Sequence, residues 1–186
     1  MSKFSSDSTY KDLDFSEKEL LEEYDNCTFL NCIFNDASSV VFEDCTFNSC
    51  DFSNCKVDNT SFKEVTFKGC KLLGVLFTHC NPFLLDFDFS ECNLQFASFY
   101  NLTIPKTTFN NCKIIETDFT ECSLKESRFN SCDLSGSIFE NTNLEKCNFT
   151  TAYNFKINPT NNKVNKARFS KGNSFGILDS FNIKIE

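Results

Sequence analysis

The sequence predicts an all-β solenoid, a coil of square cross-section closed by a short C-terminal hairpin or helix. Three observations carry that prediction. Each of the twelve cysteines stands two residues before a position on a five-residue lattice of mostly large apolar side chains, as in Cys27-x-Phe29, Cys32-x-Phe34, Cys45-x-Phe47, Cys50-x-Phe52, Cys70-x-Leu72, Cys92-x-Leu94, Cys122-x-Leu124 and Cys147-x-Phe149. The lattice runs, with two interruptions, from residue 27 to residue 149. In its second half the large position alternates strictly between Phe and Leu or Ile, from Phe89 through Leu94, Phe99 and Ile104 to Phe149. A short fixed period is the first thing to seek in a sequence, because overlooking it miscalls the whole fold.

Side chains two apart in an extended segment point the same way, so the small and the large residue of each five face inward together. Where the small residue is not Cys it is usually Ala97, Thr60, Thr107, Thr117, Ser127, Ser137, Thr142, Val65 or Val75. The other three residues are mostly polar or charged. A strand three residues wide cannot bury an apolar pair alone, but stacked coils cover one another. Asn, Asp, Ser and Thr suit the corners, since their side chains bond nearby backbone. Four fives make a square turn of twenty, which places Phe on two opposite walls and Leu or Ile on the other two. Phe89, Phe109, Phe129 and Phe149 then stack in one column and Cys92, Cys112 and Cys132 in another, about 4.8 Å per step. A triangular coil of fifteen would mix Phe with Leu on every wall.

Taken in order, residues 1–26 form an acidic N-terminal segment with disorder expected from Met1 to Thr9. Ser16-Glu17-Lys18-Glu19 reads either as a capping box opening a short helix through Leu20 and Leu21, or as part of an irregular cap over the first coil. Residues 27–149 form the coil. Its first break lies between Phe34 and Phe42, with three additional residues around Asn35 to Ser39. The second lies between Phe77 and Phe89, two residues longer than two repeats, around Asn81-Pro82-Phe83-Leu84-Leu85-Asp86. Pro82 cannot donate to a ladder, so this stretch reads as a repacked corner or as an exposed binding loop. Residues 150–186 complete the last coil and cap it. Ala167-x-Phe169 returns twenty residues after Cys147-x-Phe149, and Asn158 to Asn162 read as a turn. Phe175, Ile177, Leu178 and Phe181 fit a short amphipathic helix, followed by Ile183 and Ile185. This tail is a lid on the last coil or a self-association surface, since a solenoid end is an exposed edge.

With its small-x-large-x-x pattern over residues 27–149, the chain resembles the pentapeptide-repeat family and its A(D/N)Lxx-type repeats. The resemblance implies a right-handed quadrilateral β-helix. The chain departs from the family pattern in using Cys, Ser or Thr where Ala is commonest, and Phe as often as Leu.

Little in the sequence supports chemistry. Stacked cysteines project in parallel with their Cβ atoms too far apart for good bridge geometry, and no export signal favours oxidation, so reduced thiols in a cytoplasm are expected. Spacings of five do not converge on a metal, and His79, the sole histidine, faces outward beside an inward Cys80. No catalytic, cofactor-binding or metal-binding residue is expected. No run approaches a membrane span, and the net charge of −8 argues against direct nucleic-acid binding.

What remains is surface. The twenty-residue turn puts Asp118, Glu121 and Glu140 on the wall of Phe99, Phe119 and Phe139, with no Lys or Arg among them. Ser98, Tyr100, Asn101, Thr120, Ile138 and Asn141 complete that wall. The wall of Leu94, Ile114 and Leu134 exposes Phe96 and Ile115 close together. Three carboxylates read either as a solvated face or as a stripe of spaced negative charge that a DNA-binding protein mistakes for phosphates. The resemblance adds that Qnr-, MfpA- and McbG-type members look like acidic rods, dimerise through their C-terminal ends, and engage DNA gyrase or topoisomerase IV. In this chain Phe175, Ile177, Leu178 and Phe181 are the candidate dimer or cap surface. A passive interaction scaffold is the alternative, docking a partner on Phe96 and Ile115, the second break or the tail.

Overall fold

The computed structural model describes residues 3–181 and residue 183. Its strands are three or four residues long: β1 (Phe4–Ser6), β2 (Thr9–Lys11), β3 (Glu23–Asp25), β4 (Thr28–Leu30), β5 (Val41–Glu43), β6 (Thr46–Asn48), β7 (Ser61–Lys63), β8 (Val65–Lys68), β9 (Phe87–Ser90), β10 (Thr108–Asn110) and β11 (Arg128–Asn130). The middle residue of a typical strand is buried and its neighbours are not, which is the half-buried alternation the five-residue pattern demands. All pairing is parallel. One sheet runs β1-β3-β5-β7 and the other β11-β10-β9-β8-β6-β4-β2. The remaining walls are held by single bridges, such as Ile33–Asp51–Lys71–Asn93–Lys113–Asp133 and Leu76–Ser98–Asp118–Ile138.

Four walls result. The first carries Tyr24, Phe42 and Phe62 and, after the second break, Ile104, Leu124 and Leu144. The second carries Tyr10, Phe29, Phe47, Phe67, Phe89, Phe109, Phe129, Phe149 and Phe169. The third carries Phe15, Phe34, Phe52, Leu72, Leu94, Ile114 and Leu134, and the fourth Val57, Phe77, Phe99, Phe119 and Phe139. Rings in the second wall stack without interruption, 5.0 Å from Tyr10 to Phe29, 4.8 Å from Phe29 to Phe47, 5.2 Å from Phe89 to Phe109 and 5.3 Å from Phe149 to Phe169. The chain turns each corner in the left-handed region, as at Asn26, Asn31, Asp44, Asn54 and Asn59, with φ between 49° and 57°. Asn and Asp tolerate that conformation better than other non-glycine residues, which is why they recur there.

In the second half Phe does occupy opposite walls, the second and the fourth, and their rings meet edge to face across the core, as Phe109 and Phe119 do at 6.2 Å and 81°. In the first half Phe fills three adjoining walls instead. Phe34 meets Phe47 at 5.5 Å and 86° and stacks on Phe52 at 4.3 Å. Edge-to-face and offset contacts suit the ring quadrupoles, so a nearly all-Phe core packs without Leu between.

The N-terminal end and the first break depart from the sequence reading. The segment from Phe4 to Thr9 is not disordered: β1 and β2 pair in register with β3 and β4, and Phe15 stacks on Phe34 at 4.9 Å. The coil therefore reaches well ahead of residue 27. Residues 16–22 form no helix; Leu20 and Leu21 lie half-buried against the core, and the Leu21 amide donates to the Tyr24 hydroxyl at 3.0 Å. At the first break, pairing of Tyr24 with Phe42 and of Phe29 with Phe47 makes an eighteen-residue coil. Nothing is inserted there. The fourth wall is two residues short, and Ala37 and Val40 close it. At the second break, pairing of Phe67 with Phe89 makes a coil of twenty-two.

At the C-terminal end the bridges Asn143–Lys163 and Asn148–Arg168 return the chain to the coil. Asn162 takes a small inward position, its amide donating to the Phe139 carbonyl at 2.8 Å and its carbonyl accepting from the Thr142 amide at 2.9 Å. The cap is helical, α1 (Phe175–Leu178) continuing into a 3-10 turn over Asp179–Phe181. Asn173 donates to the carbonyls of Phe149 and Ala152 at 2.7 and 2.9 Å, satisfying backbone that the last coil leaves open. Ile185 lies outside the described residues.

Candidate functional site

The interior of the coil is lined with thiols. All twelve cysteines are buried and free. Several thiols donate to backbone carbonyls of the coil above, as Cys50 does to Phe29 and Cys132 to Phe109 at 3.4 and 3.3 Å. Burial pushes the Cys45, Cys55 and Cys147 thiols up to about 12, so they stay protonated and unreactive near neutral pH. Among the described residues no three His, Cys, Asp or Glu side chains converge to hold a metal ion. His79 points outward and meets Asp58 at 3.2 Å, while its neighbour Cys80 is buried.

Charge distinguishes the outer faces. On the first wall two carboxylates are answered from the next coil, Glu43 by Lys63 at 2.8 Å and Glu126 by Lys146 at 2.7 Å. On the third wall Asp51 is answered by Lys71 at 3.2 Å. Such ladders arise because a twenty-residue step brings opposite charges one strand spacing apart. On the fourth wall Asp58 meets His79, but among the described residues no lysine answers the carboxylates of its later coils. Among the described residues no ion pair involves Asp118, Glu121 or Glu140.

The three carboxylates lie on one wall but not in one column. Asp118 stands between Ser98 and Ile138 in the bridge series, and one of its oxygens accepts the Thr120 amide at 2.9 Å. Glu121 is the left-handed corner residue of the same coil, and Glu140 lies on the far strand position of the next. Glu121 accepts from the Tyr100 hydroxyl at 3.3 Å, and its charge, with that bond, raises the Tyr100 pKa.

Phe96 and Ile115 are neighbours through the backbone, the Phe96 amide donating to the Ile115 carbonyl at 3.0 Å. Phe96 is half exposed and Ile115 less so. The second break does both things the sequence left open: Leu85 is buried, while Phe83 and Leu84 are 68% and 63% exposed. In the tail, Ile177 packs against the core, Leu178 is half-buried, and Phe175 and Phe181 stay exposed. A shallow hollow where the fourth wall meets this lid is lined by Ile138, Glu140, Lys156 and Asp179, the last two paired at 2.8 Å. Sequence reasoning missed Leu76, exposed on the fourth wall opposite Ser98. Its outward position before the inward Phe77 was visible, but the twenty-two-residue coil hid which residue it faces.

The pentapeptide repeat region family matches residues 40–119, and pentapeptide repeats in eight copies match residues 112–150. The chain belongs to the pentapeptide-repeat proteins. Among solved structures it is similar to full-length QnrB1, described as a plasmid-mediated fluoroquinolone resistance protein, with a TM-score of 0.59 at 16% identity over 97% of this chain and 100% of that one. A trypsin-treated variant of QnrB1 gives a TM-score of 0.52 at 18% identity over 98% of this chain and 100% of that one. At such identity the likeness concerns the fold. No curated protein sequence matches the chain.

Proposed function

We propose that this pentapeptide-repeat protein works without catalysis, by presenting its fourth wall to a protein that normally grips DNA, with DNA gyrase or topoisomerase IV as the partner. The observation that carries the reading is that Asp118, Glu121 and Glu140 make no ion pair among the described residues, on a rod where Glu43, Glu126 and Asp51 of the first and third walls are each paired with a lysine. Unanswered carboxylates on a stiff scaffold present a negative potential to a basic groove. The structural likeness to a fluoroquinolone resistance protein supports the choice of partner. The exposed ends of Phe175 and Phe181 offer a surface for pairing two rods through their C-terminal lids.

Gyrase supercoiling tests this directly, with increasing protein, with and without a fluoroquinolone, and with albumin as control. Protection or inhibition that disappears in Asp118→Lys/Glu121→Lys, with the fold unchanged by circular dichroism, supports the reading. No effect on a gyrase from a closely matched source removes it. A second reading, a scaffold docking an unrelated protein, is favoured by the exposed apolar residues Phe83, Leu84 and Phe96. On that reading Phe96→Glu or truncation after Phe169, and not charge reversal, abolishes partner binding.

A further inference from the structure

We infer that the fourth wall is a composite docking surface, and that its occupant is a basic amphipathic helix of a partner protein. The inference rests on the protein-binding reading above but not on the partner being a topoisomerase. It starts from register. Leu76 bridges to Ser98, and Ser98 has Phe96 two residues before it and Tyr100 two residues after. Leu76, Phe96 and Tyr100 are 44%, 51% and 41% exposed, so three large side chains surround one small one. On the next coil Asp118 pairs with Ser98, and Glu121 is tied to the Tyr100 hydroxyl. Apolar and acidic residues thus succeed one another along the fourth wall, with Phe96 at the corner where the third wall meets it.

The backbone at Phe96 gives the apolar part weight. Amide-to-carbonyl bonds stack the corners Gly74, Phe96, Glu116 and Gly136 in one column, all left-handed. Phe96 has φ of 61°, a conformation that is a genuine outlier for a bulky residue. The corner above is Gly74, which adds no side chain of its own over the ring. Strain is thus stored in a ring that stays half exposed.

Charge and spacing choose the occupant. Unpaired carboxylates call for Lys or Arg, and the exposed apolar trio calls for apolar anchors beside them. From Leu76 to Asp118 is two strand spacings, about 10 Å. Seven residues of α-helix rise about 10 Å, so anchors at one turn and cations two turns on meet both zones when the helix lies along the rod. A second copy of this wall would bring carboxylate against carboxylate, and anionic lipid or nucleic acid would be repelled by the same charges.

The test uses the full chain and fluorescein-labelled peptides of about eighteen residues: a Lys/Leu peptide with helical amphipathic spacing, and a scramble of the same composition without it. Fluorescence anisotropy should show the amphipathic peptide binding at least about tenfold tighter than the scramble. Phe96→Gly/Tyr100→Ser should remove that tenfold preference and leave the scramble unchanged; glycine keeps the left-handed corner, so the variant is expected to fold. Asp118→Lys/Glu121→Lys should weaken both peptides, whereas Glu126→Lys/Glu145→Lys, the same charge change on the first wall, should weaken neither comparably. Equal losses from both charge reversals would reduce the effect to net charge and overturn the inference. So would full amphipathic preference in the Phe96→Gly/Tyr100→Ser protein. Since no topoisomerase enters the assay, its result is independent of the supercoiling experiment.

Discussion

Phe67 and Phe89 stack with ring centroids 5.3 Å apart and planes 7° from parallel, although the coil joining them is two residues longer than those that follow. The additional residues leave the wall at the corner 81–86, where Leu85 turns in and Phe83 and Leu84 turn out. Both strands that flank the corner resume full parallel pairing from Val65–Phe87 to Lys68–Ser90. A solenoid absorbs insertions at corners because each coil needs only its neighbours to be in register.

Phe119 lies between Phe99 and Phe139, 5.2 Å from each. Phe119→Ala should cost about 3–5 kcal/mol in urea unfolding, since a rigid stack cannot collapse into the cavity. Asn110→Ala should cost about 1 kcal/mol or less, the loss of one partly exposed bond to Asn130. Comparable losses at the two sites would refute the inward and outward assignment.

The thiols give a chemical count. In denaturant without reductant, all twelve should react with a thiol reagent, and in native buffer almost none should react promptly. A clear deficit in the denatured sample would reveal disulfides.

Burial raises the Cys45, Cys55 and Cys147 thiols to about 12 in the folded chain, whereas an unfolded thiol titrates at about 8.5. Groups whose folded pKa is raised contribute stability that is full below the unfolded value and disappears as pH climbs through the folded one. The melting temperature should therefore hold to about pH 8.5 and fall progressively toward pH 12. Cys55→Ala should flatten that fall, and an unchanged slope would remove the thiols as its cause.

A methyl group on Gly176 would stand 2.3 Å from the Phe155 carbonyl oxygen and 2.6 Å from its ring. The Gly176 carbonyl also accepts the Ile157 amide at 2.8 Å. Gly176→Ala should lift the lid at a cost of about 1–3 kcal/mol, seen as faster tryptic cleavage at Lys171 with the rest of the coil intact. Resistance equal to wild type would mean that the lid is not seated by this contact.

Removing the ring at Phe96 should not harm the fold. A left-handed non-glycine residue costs about 1–2 kcal/mol and glycine recovers most of it, less about 0.5–1 kcal/mol of unfolded-chain entropy. Phe96→Gly should be between neutral and about 1 kcal/mol more stable by thermal unfolding. A loss above that range would show that the ring supports the coil.

The repeat made most of the core readable, because small-x-large-x-x states inward and outward at every position. Asp118, Glu121 and Glu140 were assigned to one wall from the same count; Asp118 bridges to Ile138 there, and the Glu121 amide donates to the Glu140 carbonyl at 2.8 Å. Their arrangement as a scatter over two coils, not a column, follows from one being a corner and the others lying on different strand positions. The first coil was also faintly legible: Tyr10 and Phe15 stand five apart, as do Tyr24 and Phe29. The longer gap between Phe15 and Tyr24, with the acidic composition around it, concealed them.

By itself, then, the sequence determined which residues enter the core, the square section of its regular half and the charge of each outer face, since each follows from a pattern repeated within five residues. Only the tertiary structure decided that the first break shortens a coil, that Leu76 faces Ser98, and that strands begin at Phe4. Those facts depend on which residues meet across coils. Such meetings are settled by the summed length of every corner between them and by the packing that selects one register, and no five-residue window contains either.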